Sequence, residues 1–227
     1  MFASFEALER DALACTKCPL AATRTQVVFG AGDPHADVMF VGEGPGEQED
    51  LQGIPFVGRA GKLLTNLIEG IGLDRDRVYI ANVVKCRPPG NRDPLPLEIE
   101  SCRPYLEAQV EFIDPKVVVT LGNFATKLLL DTKEGITKLR GREFPFRAGS
   151  VPERGVGSVP ERGVGSVPER GAGSVPERGT GSVPERGTTS STLIPTLHPS
   201  AVLRNGGTAL AQARADFVLV KRAVMRA

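Results

Sequence analysis

Apolar positions along the chain fall into short continuous runs separated by stretches of helical spacing. Residues 38–41 (VMFV) form an apolar run bounded by glycine, the pattern of a strand buried on both faces. Similar runs stand at 78–83, which carries the single amide Asn82, and at 116–121. Between them, residues 60–71 place Leu63, Leu64, Leu67, Ile68 and Ile71 on one side of a predicted helix closed by Gly72. Further helices are predicted over 5–13, 97–112 and 124–130, the last with Asn123 as its N-cap. Residues 143–146 and 192–197 read as two more strands. Strand alternating with helix predicts an α/β fold with a mostly parallel sheet covered on both faces.

The strand at 38–41 runs directly into a glycine-rich acidic loop, and residues 38–61 read VMFVGEGPGEQEDLQGIPFVGRAG. Glycines at 42, 44 and 46 allow a sharp turn and close approach to a ligand, and Pro45 stiffens it. An open α/β sheet places its site at such a strand end. Glu43, Asn82 and His198 share one property: each lies at or just beyond the carboxyl end of a predicted strand, so all three face one crevice.

Composition adds two features. Residues 149–188 are five tandem copies of GSVPERGV that vary only in the last position. Each copy carries one Glu and one Arg and almost nothing apolar, so the array is expected to be disordered, with a flexible span of about 35 Å. It stands where the turn between the strands at 143–146 and 192–197 would be. Because His198 follows the far end of the second strand, roughly 20 Å away, the array should hang clear of the crevice. The chain therefore reads as one domain, 1–148 plus 189–227, interrupted by a low-complexity insertion.

The four cysteines are the second feature. The 227 residues carry 28 basic and 27 acidic side chains, a net charge of +1, so bulk charge announces neither a nucleic acid nor a membrane partner. The first 15 residues lack the apolar core of a signal peptide, and no later run is long enough to span a bilayer. The expected setting is cytosolic and reducing, where cysteines serve as metal ligands rather than disulfides. Cys15 and Cys18 form a CxxC pair, and Cys86 and Cys102 are single. This set suits zinc or an iron-sulfur cluster; the wide second spacing favours the cluster.

Taken together, GEGPGEQED, the following GIPFVGRAG, the strand end ANVVKCRPPGNRDP, the segment HPSAVLR and the four cysteines in order resemble the family 4 uracil-DNA glycosylases, the iron-sulfur type of that superfamily. The resemblance implies a three-layer α/β/α sandwich, a 4Fe-4S cluster on Cys15, Cys18, Cys86 and Cys102, and excision of uracil from single- or double-stranded DNA. It implies that Asn82 reads the uracil edge, that Phe56 stacks on the base beside Gly44, and that His198 bonds uracil O2. Gly44 stands where another branch of the superfamily has an aspartate, so either Glu43 or Glu47 would position the water or the site would rely mainly on stabilising the leaving group. Gly46 stands where that branch holds a tyrosine against the methyl group of thymine, and Glu47 is the candidate for excluding it.

For the DNA strand, Leu203 is the expected wedge and Arg204 a phosphate contact, with Lys85, Arg87 and Arg92 presenting positive charge from the proline-rich loop. A monomer acting near the nucleoid, with a replication or repair protein as a further contact, is the expected setting. Three rivals differ. A relative that traps DNA covalently would need a histidine within 83–96, and none is there. A non-catalytic iron-sulfur DNA-binding module would keep the cysteines but not need Glu43, Phe56, Asn82 and His198. An electron-transfer protein would leave those four without a task.

Overall fold

A computed structural model describes residues 2–147 and 191–227. The tandem repeats at 149–188 lie outside the described residues.

Six strands form one sheet: β1 (Ala31–Gly32), β2 (Val38–Gly42), β3 (Tyr79–Asn82), β4 (Val117–Leu121), β5 (Phe144–Phe146) and β6 (Ser191–Thr196). Their spatial order is β1-β3-β2-β4-β6-β5. The four central strands are parallel, and the edge strands β1 and β5 run antiparallel to their neighbours. Every residue of β2, β3 and β4 is buried, as strands covered on both faces require.

The pleat divides these strands between two cores. Met39, Val41, Tyr79, Ala81, Val118 and Leu193 face a layer built on α1 (Phe5–Leu13), α4 (Pro96–Ile113) and α5 (Asn123–Leu129). Val38, Phe40, Ile80, Val119 and Ile194 face the other layer, made by α3 (Arg59–Glu69), α7 (Pro199–Asn205) and α8 (Gly207–Arg226). The result is the α/β/α sandwich. Phe40 is fully buried and stacks on Phe217 of α8 at 5.7 Å between ring centres. Burying a side chain of that size contributes about 2 to 3 kcal/mol.

Several elements differ from expectation. Part of the acidic loop is helical: α2 spans Glu47–Gln52, and α6 covers Ile136–Leu139. The N-cap of α5 is Gly122, at φ 92°, and Asn123 instead accepts a hydrogen bond from the Ile136 amide. Helix α3 ends at the cap residue Gly70, ahead of Gly72. The twenty-residue α8 was not among the expected elements, although Ala209, Ala213, Phe217, Val220 and Ala223 repeat at helical spacing. Its Asp216 accepts from Arg140, at 2.7 and 3.1 Å, and from Thr196 at 2.8 Å, tying the approach to β5 onto the helix. The repeats connect β5 and β6, which pair Phe146 with Ser191 and Phe144 with Leu193. No helix of the described residues is long and apolar enough to cross a membrane.

The chain leaves β2 for β3 on one side and then crosses to β4 on the other. That reversal opens a crevice at the carboxyl ends of the strands.

Candidate functional site

A cavity of about 560 Å³ occupies that crevice. Glu43 enters from the end of β2, Asn82 from the end of β3, Gly122 from β4 and His198 from β6, so four strand ends supply its floor. Phe56, Gly44 and Arg204 complete the wall.

Asn82 is 1% exposed, and its Oδ1 has no hydrogen-bond partner among the described residues. A buried acceptor left unpaired costs about 1 to 3 kcal/mol, so an atom of this kind on a cavity wall marks a place for a donor. Gly42 lets it sit there: a Cβ at that position would strike Asn82 Oδ1 and come within 2.6 Å of Phe56 Cζ. Gly42→Ala is therefore expected to keep the fold and lower ligand affinity of the cavity by about tenfold, since overpacking costs about 1 to 3 kcal/mol; binding of free ligand base by calorimetry measures it.

His198 caps α7, and its Nδ1 accepts the Ser200 amide hydrogen at 3.2 Å. Burial, reinforced by Arg204, pushes its pKa down to about 4. The ring is thus neutral near pH 7, and with Nδ1 accepting, the proton resides on Nε2. Phe56 lies 5.7 Å from it, ring centre to ring centre. Burial raises the pKa of Glu43 above the ordinary carboxylate value, and the charge of Asp93 adds to the shift.

Two expected site residues are placed elsewhere. Glu47 is the exposed first residue of α2 and is not among the residues lining the cavity. Glu49, two residues later and on the opposite side of α2, takes the inner position: its carboxylate accepts from the amides of Gly46 at 3.1 Å and of Val57 and Gly58 at 3.0 Å each. The spacing from a helix N-cap to a glutamate three residues on was the signal for it. Lys85 is not a phosphate contact, because it is 2% exposed and its ammonium donates to the Asn82 carbonyl at 2.8 Å and to Gln109.

The remaining cations differ in freedom. Arg92 makes a two-pronged pair with Glu98 at 2.6 and 2.8 Å, which commits its guanidinium to the start of α4. Arg87 is half-buried and donates to Asn91 at 2.7 Å, beside the cavity. Leu203, 43% exposed, and Arg204 project from α7 near the cavity mouth.

Cys15, Cys18, Cys86 and Cys102 all border a second, small cavity between α1, α4 and the exit of β3. All four are free thiols. Among the described residues no three His, Cys, Asp or Glu side chains form a single-ion site; the sulfurs are instead distributed around this cavity. Two N–H groups are aimed at them, Lys85 N at Cys102 Sγ (3.2 Å) and Arg24 Nη1 at Cys86 Sγ (3.4 Å). Burial pushes the Cys102 thiol up to about 11 and raises that of Cys86, while Lys85 and Arg24 respectively pull the other way. Four thiols with N–H donors and a buried ammonium beside them suit an anionic, sulfur-ligated group.

Known proteins are similar to this chain. The family model described as the uracil DNA glycosylase superfamily matches residues 29–219. The chain belongs to that superfamily. The type-4 uracil-DNA glycosylase of Sulfurisphaera tokodaii is 50% identical over 149 residues, 63% of this chain and 68% of the relative. That of Thermotoga maritima is 52% identical over 136 residues, 60% of this chain and 71% of the relative. That of Archaeoglobus fulgidus is 52% identical over 128 residues, 56% of this chain and 64% of the relative. Within the superfamily the chain groups with these type-4 members.

Proposed function

We propose that this protein is a monofunctional uracil-DNA glycosylase, which flips uracil out of DNA and hydrolyses its N-glycosidic bond to leave an abasic site. The observation that carries the reading is the unpaired Asn82 Oδ1 on the wall of the crevice. Uracil offers N3–H as a donor to that oxygen and O4 as an acceptor for the amide nitrogen. Cytosine reverses both polarities and would leave each group unpaired. A base stacked in a duplex cannot reach this depth, so the nucleotide must leave the stack. Leu203 fills the vacated space, and Arg204 and Arg87 hold phosphates on either side.

Cleavage leaves negative charge on the departing uracil and positive charge on the sugar. The neutral His198 donates Nε2–H to uracil O2 as that charge develops, while Phe56 supports the face of the ring. Glu43 orients the water that attacks the sugar carbon and takes its proton; Gly44 leaves room for the base beside it. These assignments make the reaction self-contained. Cys15, Cys18, Cys86 and Cys102 would hold a 4Fe-4S cluster, whose contribution is to cross-link the segment after α1 to the loop after β3.

The pH dependence follows from the two shifted groups. Glu43 serves as an anion and has a raised pKa, so its protonation sets the acid limb at a pH above the ordinary glutamate value. His198 stays neutral down to about pH 4 and does not contribute above that. Uracil release measured from pH 4 to 9 is expected to fall on acidification, and the limb should vanish in Glu43→Gln along with most of the rate. A wild-type profile centred on the ordinary imidazole range would contradict the assignment.

The function itself is tested with a labelled oligonucleotide containing one uracil beside a matched thymine strand. Alkali-sensitive abasic sites in the uracil strand alone are expected. Binding of that DNA with every base left in place would instead favour the non-catalytic iron-sulfur module.

A further inference from the structure

Phe56 holds an unusual backbone. Its φ is 53°, a left-handed conformation that bulky residues seldom adopt, and nothing in its own side chain favours it. Such a conformation persists only where the surroundings fix it from several directions.

The surroundings do so here with polar groups on both flanks. Downstream, the Val57 and Gly58 amides donate to Glu49. Upstream, Arg75 reaches across from the turn before β3, and its Nη2 donates to the Pro55 carbonyl at 2.7 Å and to the Phe56 carbonyl at 3.1 Å. Its Nη1 donates to Thr65 Oγ1 at 2.9 Å, which anchors the guanidinium to α3, and Thr65 in turn donates to the Gly61 carbonyl at 3.1 Å. Gly61 lies against the same carbonyl that Arg75 holds, and a Cβ there would collide with Phe56 O. Arg75 forms no ion pair among the described residues; three of its hydrogen bonds end on two carbonyls and a hydroxyl.

We infer that Arg75 is a positioning residue for base recognition: by clamping the Pro55 and Phe56 carbonyls it holds the Phe56 ring as a platform in the cavity. The inference rests on the uracil-excising reading of that cavity. Arg75 is not among the residues lining the cavity whereas Phe56 is, so its effect on a bound base passes through Phe56. Removing it lets the 53–58 turn relax out of the left-handed conformation and takes the platform with it, while Asn82, His198 and the DNA-facing Arg204 stay on their own strand end and helix.

The experiment compares wild type, Arg75→Ala, Arg75→Lys, Phe56→Ala and the Arg75→Ala/Phe56→Ala pair in the full chain. Three quantities are read: inhibition by free uracil, affinity for abasic-site DNA, and melting temperature. Arg75→Ala is expected to weaken free uracil about tenfold, the scale on which a strained backbone conformation is held or lost, with abasic-DNA affinity unchanged. Arg75→Lys, keeping the cation but not the planar fork, should fall between, and the double variant should bind uracil no worse than Phe56→Ala alone. Should Arg75→Ala fail to fold, Arg75→Lys against Phe56→Ala decides the matter. Uracil inhibition unaltered in the Arg75 variants of an active enzyme, or losses that simply add in the double variant, would overturn the inference. A wild type that releases no uracil would overturn the reading beneath it.

Discussion

Asn82→Ala is expected to reduce uracil release from DNA roughly 10³-fold while leaving DNA affinity and melting temperature near wild type. The magnitude comes from two groups. Truncation removes the acceptor for N3–H and the donor for O4 together, and each buried group of uracil left unpaired costs about 1 to 3 kcal/mol. At about 1.4 kcal/mol per factor of ten, the pair amounts to between about 30-fold and about 2 × 10⁴-fold, with 10³ near the middle. The fold should tolerate the change, because in the absence of substrate Asn82 Oδ1 bonds to nothing and its loss relieves an unpaired acceptor. DNA affinity should hold because Arg204 and Leu203 sit on α7 and Arg87 on the loop after β3, each positioned independently of the amide. Single-turnover release from a uracil-containing strand, beside binding of the same strand by anisotropy, separates the two. Release unchanged in the variant would remove the central pillar of the enzyme reading.

What was legible in the sequence was what strand polarity decides. Glu43, Asn82 and His198 could be brought together without coordinates, because carboxyl ends of parallel strands face one side and β2, β3 and β6 are parallel. Side-chain direction was not legible to the same degree. Lys85 stands in a run of cations and prolines that reads as solvated loop, yet it still lies against β3, and a partner 24 residues away, Gln109, draws its ammonium inward. Glu47 and Glu49 look equivalent in a string of carboxylates; the helix that starts at Glu47 turns the first outward and the second onto the amides of Gly46, Val57 and Gly58. Arg75 gave no signal at all. Two of its acceptors are main-chain carbonyls, 19 and 20 residues away, which carry no residue identity to read, and the third is the hydroxyl of Thr65, one of many threonines.

Lys85 also joins the two cavities, and that connection sets the second large effect. Cys102→Ala is expected to yield protein without bound iron or sulfide, a melting temperature lower by roughly 10 °C and little uracil release. Cys102, on α4, is buried, and its sulfur accepts from the Lys85 amide. The side chain of the same lysine donates to the Asn82 main-chain carbonyl, so the sulfur cage and Asn82 are separated by one residue. On the far side of the cage, Cys15 and Cys18 follow α1, which is held to the body by Leu8 and Ala12 in the core and by Tyr105 donating to Asp11 at 2.6 Å. On the cluster proposed for these four cysteines, removing one ligand breaks the cross-link between these parts, and the free energy of cluster binding that had been folding free energy is lost with it. The loop carrying Arg87 then loses its anchor, and Asn82 loses the fixed lysine behind it. Asn82→Ala should keep its iron and its stability, so the two variants abolish activity by different routes. Iron and sulfide analysis with a thermal melt distinguishes them, and a Cys102→Ala protein that retained its cluster would show that Cys102 is not a ligand.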